Sequence, residues 1–143
     1  MNDATNAADA FDTSSFELED FGTLHVMNAR GDSPLLYQGS PVTIELYGPG
    51  SDQAVQAERR AGVSTQKRIT DMMRGKAPDP KAAEKSEHEM VEKLVARTRA
   101  VNNFPVPGGA RAIYANPRLN YITRQAITFM NDDANFSKAS SEN

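Results

Sequence analysis

Two hydrophobic periods divide this chain into a front part that reads as strand and a longer back part that reads as helix. From Thr23 to Asn28 apolar and polar residues alternate, with Leu24 and Val26 on one side and His25 and Met27 on the other. Val42-Thr43-Ile44-Glu45-Leu46-Tyr47 alternates more cleanly and puts Val42, Ile44 and Leu46 on one face. Arg30-Gly31-Asp32-Ser33-Pro34 and Gly39-Ser40-Pro41 supply turn chemistry, and Leu35-Leu36-Tyr37 fits a short strand between them. Residues 16–50 therefore predict an antiparallel sheet of two or three strands, which needs helices over its apolar face to be stable.

After Gly48-Pro49-Gly50 the period changes. Ser51 is placed to cap a helix from Asp52 to Arg74, with Asp52 in its first turn and Gly75 beyond its last. Its apolar stripe is Val55, Ala61, Ile69, Met72 and Met73, and Gly62 marks a candidate break near Gly62-Val63-Ser64. Ala77-Pro78-Asp79-Pro80 reads as a linker whose Asp79 and Pro80 suit N-cap and N1 of a second helix. That helix runs to about Val101, with Ala83, Met90, Val91, Leu94, Thr98 and Val101 at helical spacing and Glu89–Lys93 on the charged side. Pro105, Pro107 and Gly108-Gly109 predict a loop over residues 102–112. Asn116-Pro117 opens a third helix over 116–131, carrying Leu119, Ile122, Ala126, Phe129 and Met130 on one side.

The expected fold class is α+β, a small N-terminal antiparallel sheet packed with about three helices in one domain, 16–136. Residues 1–15 are acidic, Ala-rich and aperiodic, and they predict a disordered tail, as do residues 137–143.

Composition narrows the chemistry. The 143 residues contain no Cys and two separated His, so a disulfide framework, a thiol nucleophile and a structural transition-metal site are not expected. No apolar run approaches the ~20 residues of a membrane span, and the N-terminus lacks the basic start and apolar stretch of a signal peptide. Aromatics make up only 7% of the chain, so the core is expected to be thin. Charge is uneven: residues 1–50 hold eight acids and one base, whereas 51–115 hold eight acids and twelve bases. The basic middle admits a nucleic-acid reading through Arg59, Arg60, Lys67 and Arg68. Its bases are interleaved with acids, however, which is the pattern of a solvated helix face.

Local motifs add no reaction chemistry. Arg30-Gly31-Asp32 matches an integrin tripeptide but sits where a hairpin needs a turn. His88-Glu89 begins like a zinc-binding helix, yet position 92, where the second His is required, is Glu92. Gly48-Pro49-Gly50-Ser51 lacks the lysine of a phosphate loop, and Gly108-Gly109 lacks the third glycine of a dinucleotide fingerprint. Asp132 and Asp133 are adjacent at a helix end and do not flank a reacting bond. No cofactor is implied, and the chain reads as a non-enzyme. The remaining signal is the apolar stripe of the last helix with its aromatics. Tyr114, Tyr121, Ile122, Gln125, Phe129 and Phe136 are the candidate partner-binding residues, competing with a role in the core.

Three segments resemble a family of tailed-bacteriophage tail assembly chaperones. The first is Gly39-Ser40-Pro41-Val42-Thr43-Ile44-Glu45-Leu46-Tyr47-Gly48-Pro49-Gly50-Ser51 and the second is Leu94-Val95-Ala96-Arg97-Thr98. The third is Ile113-Tyr114-Ala115-Asn116-Pro117 with Tyr121-Ile122-Thr123-Arg124-Gln125-Ala126, Phe129 and Asn135-Phe136. Many members of that family carry a Trp just after the Thr of the second segment; this chain has none, and Phe104 is the candidate to replace it. The resemblance implies a non-enzymatic role in the host cytoplasm: binding the tape-measure protein, helping to recruit tail-tube subunits and leaving before the virion is complete. The alternative is a small tail or neck protein that remains in the particle. Self-association is left open.

Overall fold

The computed structural model of the chain describes residues 11–77 and 80–138. Its centre is a three-stranded antiparallel sheet of β1 (Phe21–His25), β4 (Thr43–Tyr47) and β5 (Thr98–Asn102), in the order β1-β4-β5. Two short strands, β2 (Leu36–Tyr37) and β3 (Ser40–Pro41), form a separate ribbon, Leu36 opposite Pro41 and Tyr37 opposite Ser40. Four helices lie among the described residues: α1 (Asp52–Met73), α2 (Ala82–Arg97), α3 (Gly109–Ala115) and α4 (Asn120–Met130). Single 3-10 turns lie at Pro117–Leu119 and Asp133–Phe136. The α+β class is as expected.

The alternation in the front strands does what it predicts. Leu24 pairs with Ile44, so β1 and β4 present Leu24, Ile44 and Leu46 to one side, where Val26 and Val42 join them in the core. The other face carries Thr23, His25, Glu45 and Tyr47, and Arg99 lies 4.2 Å over the Phe21 ring as a cation–π contact. Glu45 also bonds Arg99 and accepts from Asn102 at 2.8 Å; the Asn102 hydrogen bond leads the causes that hold its carboxyl below the ordinary value. Val91 and Leu94 of α2, Ile113 and Tyr114 of α3, and Ile122, Ala126 and Met130 of α4 cover the apolar face.

The third strand is not Leu35–Tyr37, which belongs to the ribbon, but Thr98–Asn102, read from sequence as the end of the second helix. The helix stops at Arg97 because that residue is buried and bound: Nε and Nη2 both donate to the Tyr47 carbonyl, at 3.1 and 2.7 Å. The anchor fixes the helix end beside the last residue of β4. The next residues then pair with β4's open edge, Ile44 opposite Val101 and Leu46 opposite Thr98, with a register shift between Glu45 and Leu46.

Several further expectations shift. The predicted loop 102–112 contains the end of β5 and the first turn of α3, a helix the glycines concealed. Asn116 and Pro117 open a 3-10 turn rather than an α-helix, with Asn116 Oδ1 accepting from the Arg118 amide at 3.0 Å. The chain runs helically through Gly62 without a break, and Ser51 caps α1 as expected. Asp79 lies outside the described residues, and α2 begins at Ala82 rather than Pro80. Of the predicted tails, 1–10 and 139–143 also lie outside them. Residues 11–15, by contrast, lead into a hydrogen-bonded turn, in which Asp12 accepts from Ser14, and Lys138 bonds the Ser14 carbonyl.

Two glycines permit the closest approach in the fold. A Cβ on Gly22 would stand 2.7 Å from the Asn135 carbonyl, and one on Gly48 2.6 Å from the Glu19 carbonyl, each also within 3.3 Å of the Phe136 ring. Phe136 therefore sits fully buried in a slot walled by bare backbone at Gly22 and Gly48 and by the Phe129 ring.

Candidate functional site

The six candidate partner-binding residues separate into two groups. Tyr114, Ile122 and Phe136 are buried in the core and offer no surface to a partner. The expectation is corrected for these three because Tyr114 of α3 and Ile122 of α4 lie on the sides that cover the sheet, and Phe136 of the last 3-10 turn fills the slot beside Gly22 and Gly48. Tyr121, Gln125 and Phe129 are half-buried beside β1.

Gln125 is held in place by backbone. Its Oε1 accepts from the Met27 amide at 2.7 Å and its Nε2 donates to the Met27 carbonyl at 3.0 Å and to the Tyr121 carbonyl at 3.2 Å. One side chain thus reproduces a strand's pairing beyond the end of β1. Phe129 packs edge-on against Phe136, with centroids 5.4 Å apart, and Asn135 Nδ2 donates to the Phe129 carbonyl at 3.0 Å. Tyr121, Gln125 and Phe129 do share one feature with a site: with Leu24 and Met27 they line a shallow groove of about 480 Å³ flanked by Arg30 and Arg124. Arg30 and Gly31 of the turn form its rim, and Asp32 Oδ1, next in the chain, is engaged by Asn28 Nδ2 at 3.0 Å.

Phe104 meets Tyr37 edge-on at 6.3 Å and packs against the core. Asn103, next to it, donates to the Tyr37 and Ser40 carbonyls at 3.0 and 2.8 Å and ties the β2–β3 ribbon to the end of β5.

A second apolar surface lies on α1, where Val55, Ile69, Met72 and Met73 of the sequence stripe are exposed. The face turned to the fold is made of small residues instead, Ala54 and Ala57, continued by Ser64, whose hydroxyl donates to Glu89 at 2.6 Å. Val55, Val63, Ile69, Met72 and Met73 are exposed, as is Met90 on α2. The signal that distinguishes the faces was present. Positions 54, 57, 61 and 64 follow the helical period with only Ala and Ser, as a close helix–helix contact requires.

Among the bases of the nucleic-acid reading, Arg68 pairs with Glu89 at 3.0 Å, and Arg59, Arg60 and Lys67 make no ion pair with a described residue. Exposed His88 stands 3.9 Å from Glu92, whose carboxylate is held bidentately by Arg111 at 2.9 and 2.7 Å. That hydrogen bonding keeps the Glu92 carboxyl below its ordinary value. Asp132 caps the last turn, accepting from the Ala134 amide at 3.1 Å. Among the described residues no three His, Asp or Glu side chains group as a metal site, and no helix is long and apolar enough to cross a membrane. No protein-family model, curated protein or solved structure matches the chain.

Proposed function

We propose that this chain is a non-enzymatic tail assembly chaperone of a tailed bacteriophage, working in the host cytoplasm. It binds the tape-measure protein and helps to recruit tail-tube subunits. One observation supports this reading above the others: the residues that carry the resemblance, far apart in sequence, are joined in space as the contacts that lock the fold. Thr98 of the second segment meets the Tyr114 hydroxyl of the third at 2.6 Å. Gly48 of the first segment forms a wall of the slot that holds Phe136 of the third. Arg97 of the second donates to the carbonyl of Tyr47 in the first. Such a motif set specifies a scaffold and leaves the exposed helix faces to suit a client.

The client-binding surface accordingly moves from the last helix to α1 and α2. Exposed methionines there suit a client with many apolar segments, because an unbranched thioether side chain adapts to different shapes. Co-expression of the full chain with the tape-measure protein of the same phage tests the reading. A soluble, co-purifying complex is expected; unchanged solubility and no complex would sink it. Stoichiometric recovery of the chain from purified virions would instead make it a tail or neck component.

A further inference from the structure

β1 is an edge strand, and its outer side is only partly covered. The ladder to β4 fixes which residues face which way. The Val26 amide donates to the Val42 carbonyl at 3.2 Å and the Gly48 amide to the Asp20 carbonyl at 2.8 Å. The even-numbered residues from Asp20 to Val26 therefore turn their backbone groups to the β4 side, and Thr23, His25 and Met27 turn theirs outward. At Met27 the Gln125 side chain takes both groups. Thr23 and His25 are exposed, and their outward amides and carbonyls bond no described residue. An open row of this kind is a template for one more strand.

Beside the row runs the groove between β1 and α4, lined by Leu24, Tyr121 and Phe129 among others. Successive side chains of a strand point to opposite faces, so every second residue of an added strand would enter that groove. Its charge has one sign. Arg30 and Arg124 line it, both are exposed, and neither side chain bonds or pairs with a described residue. None of the lining residues is an acid. Of the acids nearby in the chain, Asp32 is held by Asn28 and Asp20 precedes the opposite end of β1.

These observations define the occupant. An α-helix bonds its amides internally and cannot match a row of strand groups. A second copy of β1 would bring Leu24 to the groove side, but that side chain already lies in its own core, so the groove would stay empty.

We propose that the outer edge of β1, with the groove beside α4, takes an extended acidic segment of a partner protein as an added strand. The segment pairs with Thr23 and His25, sets alternate apolar side chains against α4 and brings carboxylates to Arg30 and Arg124. This edge is distinct from the α1 and α2 surface, and the inference does not rest on the tail-assembly reading.

The probe is a peptide of about eight residues, blocked at both ends, in which valine and glutamate alternate. Its binding to the full chain is followed by fluorescence anisotropy at low salt. It should bind at least about tenfold more tightly than a peptide with lysine for glutamate, a difference of about 1.4 kcal/mol. Methylating its alternate backbone nitrogens on the pairing side should weaken it by a similar factor, since donors are lost while side chains are kept. Arg30→Glu with Arg124→Glu, both at exposed positions, should erase or reverse the preference for glutamate. Thr23→Pro should weaken binding with the circular dichroism kept, because the amide it removes faces away from β4.

No binding of either peptide, equal affinity for the two, or full affinity of the methylated peptide overturns the proposal, and these three outcomes need no altered protein. So does sedimentation showing a self-associated chain that Thr23→Pro separates, because a second copy then occupies the edge.

Discussion

Tyr114 places its ring in the core and its hydroxyl against Thr98, and the direction of that hydrogen bond follows from the second contact Thr98 makes. Thr98 Oγ1 donates its single proton to the Leu94 carbonyl at 2.8 Å, so the Tyr114 hydroxyl is the donor in the 2.6 Å contact. Burial raises the Tyr114 pKa. The folded-state value therefore exceeds the unfolded value of about 10. The associated stability is fully present below that pH and is lost as pH rises through the folded value. Tyr114→Phe should cost about 1 kcal/mol at neutral pH through the lost hydrogen bond. Above pH ~10 the gap between the two chains in urea midpoint should narrow, because the phenylalanine cannot ionise. A gap independent of pH would show that folding leaves the Tyr114 pKa unshifted.

Elements are fixed here by their ends more than by their middles. Ser51 accepts from the Ala54 amide at 3.1 Å and donates to the Gly48 carbonyl at 2.7 Å, and it is buried. Ser51→Ala should cost about 1–2 kcal/mol in urea unfolding, since it removes a cap and leaves polar backbone groups unmatched. Ser51→Asp keeps the acceptor but turns a carboxylate toward the Gly48 carbonyl, so it should recover little; full recovery would reduce Ser51 to a simple cap. That cap was legible because Gly-Pro-Gly-Ser before a polar helix has a local mechanism. The β4 strand was legible for the same reason, in the alternation of Val42, Ile44 and Leu46. The β5 strand was not. Leu94, Thr98 and Val101 fit a helix, and what ends it is Arg97 reaching a carbonyl fifty residues earlier. The apolar stripe of α1 was legible, but not which face packs inward, because that face is alanine, whose apolar signal is weak beside Met72 and Met73. Of the candidate site, Tyr121, Gln125 and Phe129 were placed beside a groove. Tyr114, Ile122 and Phe136 were pulled inward by a sheet that sequence showed only in part.

At the scale of the whole molecule the chain is closed by Phe136, which wedges between the backbones of β1 and the turn after β4. Around it, the Glu19 amide donates to the Phe136 carbonyl at 2.6 Å and the Gly48 amide to the Asp20 carbonyl at 2.8 Å. The start of the sheet, the turn leading to α1 and the last 3-10 turn are thus held by one ring and two backbone hydrogen bonds. Phe136→Ala leaves a cavity that bare backbone cannot fill by relaxing, so it should cost about 3–5 kcal/mol. Gly48→Ala attacks the same slot from the wall, since its Cβ would strike the Glu19 carbonyl. The two substitutions share one cavity, so their costs should combine non-additively in urea denaturation. Strict additivity would mean that the ring and the wall are energetically separate.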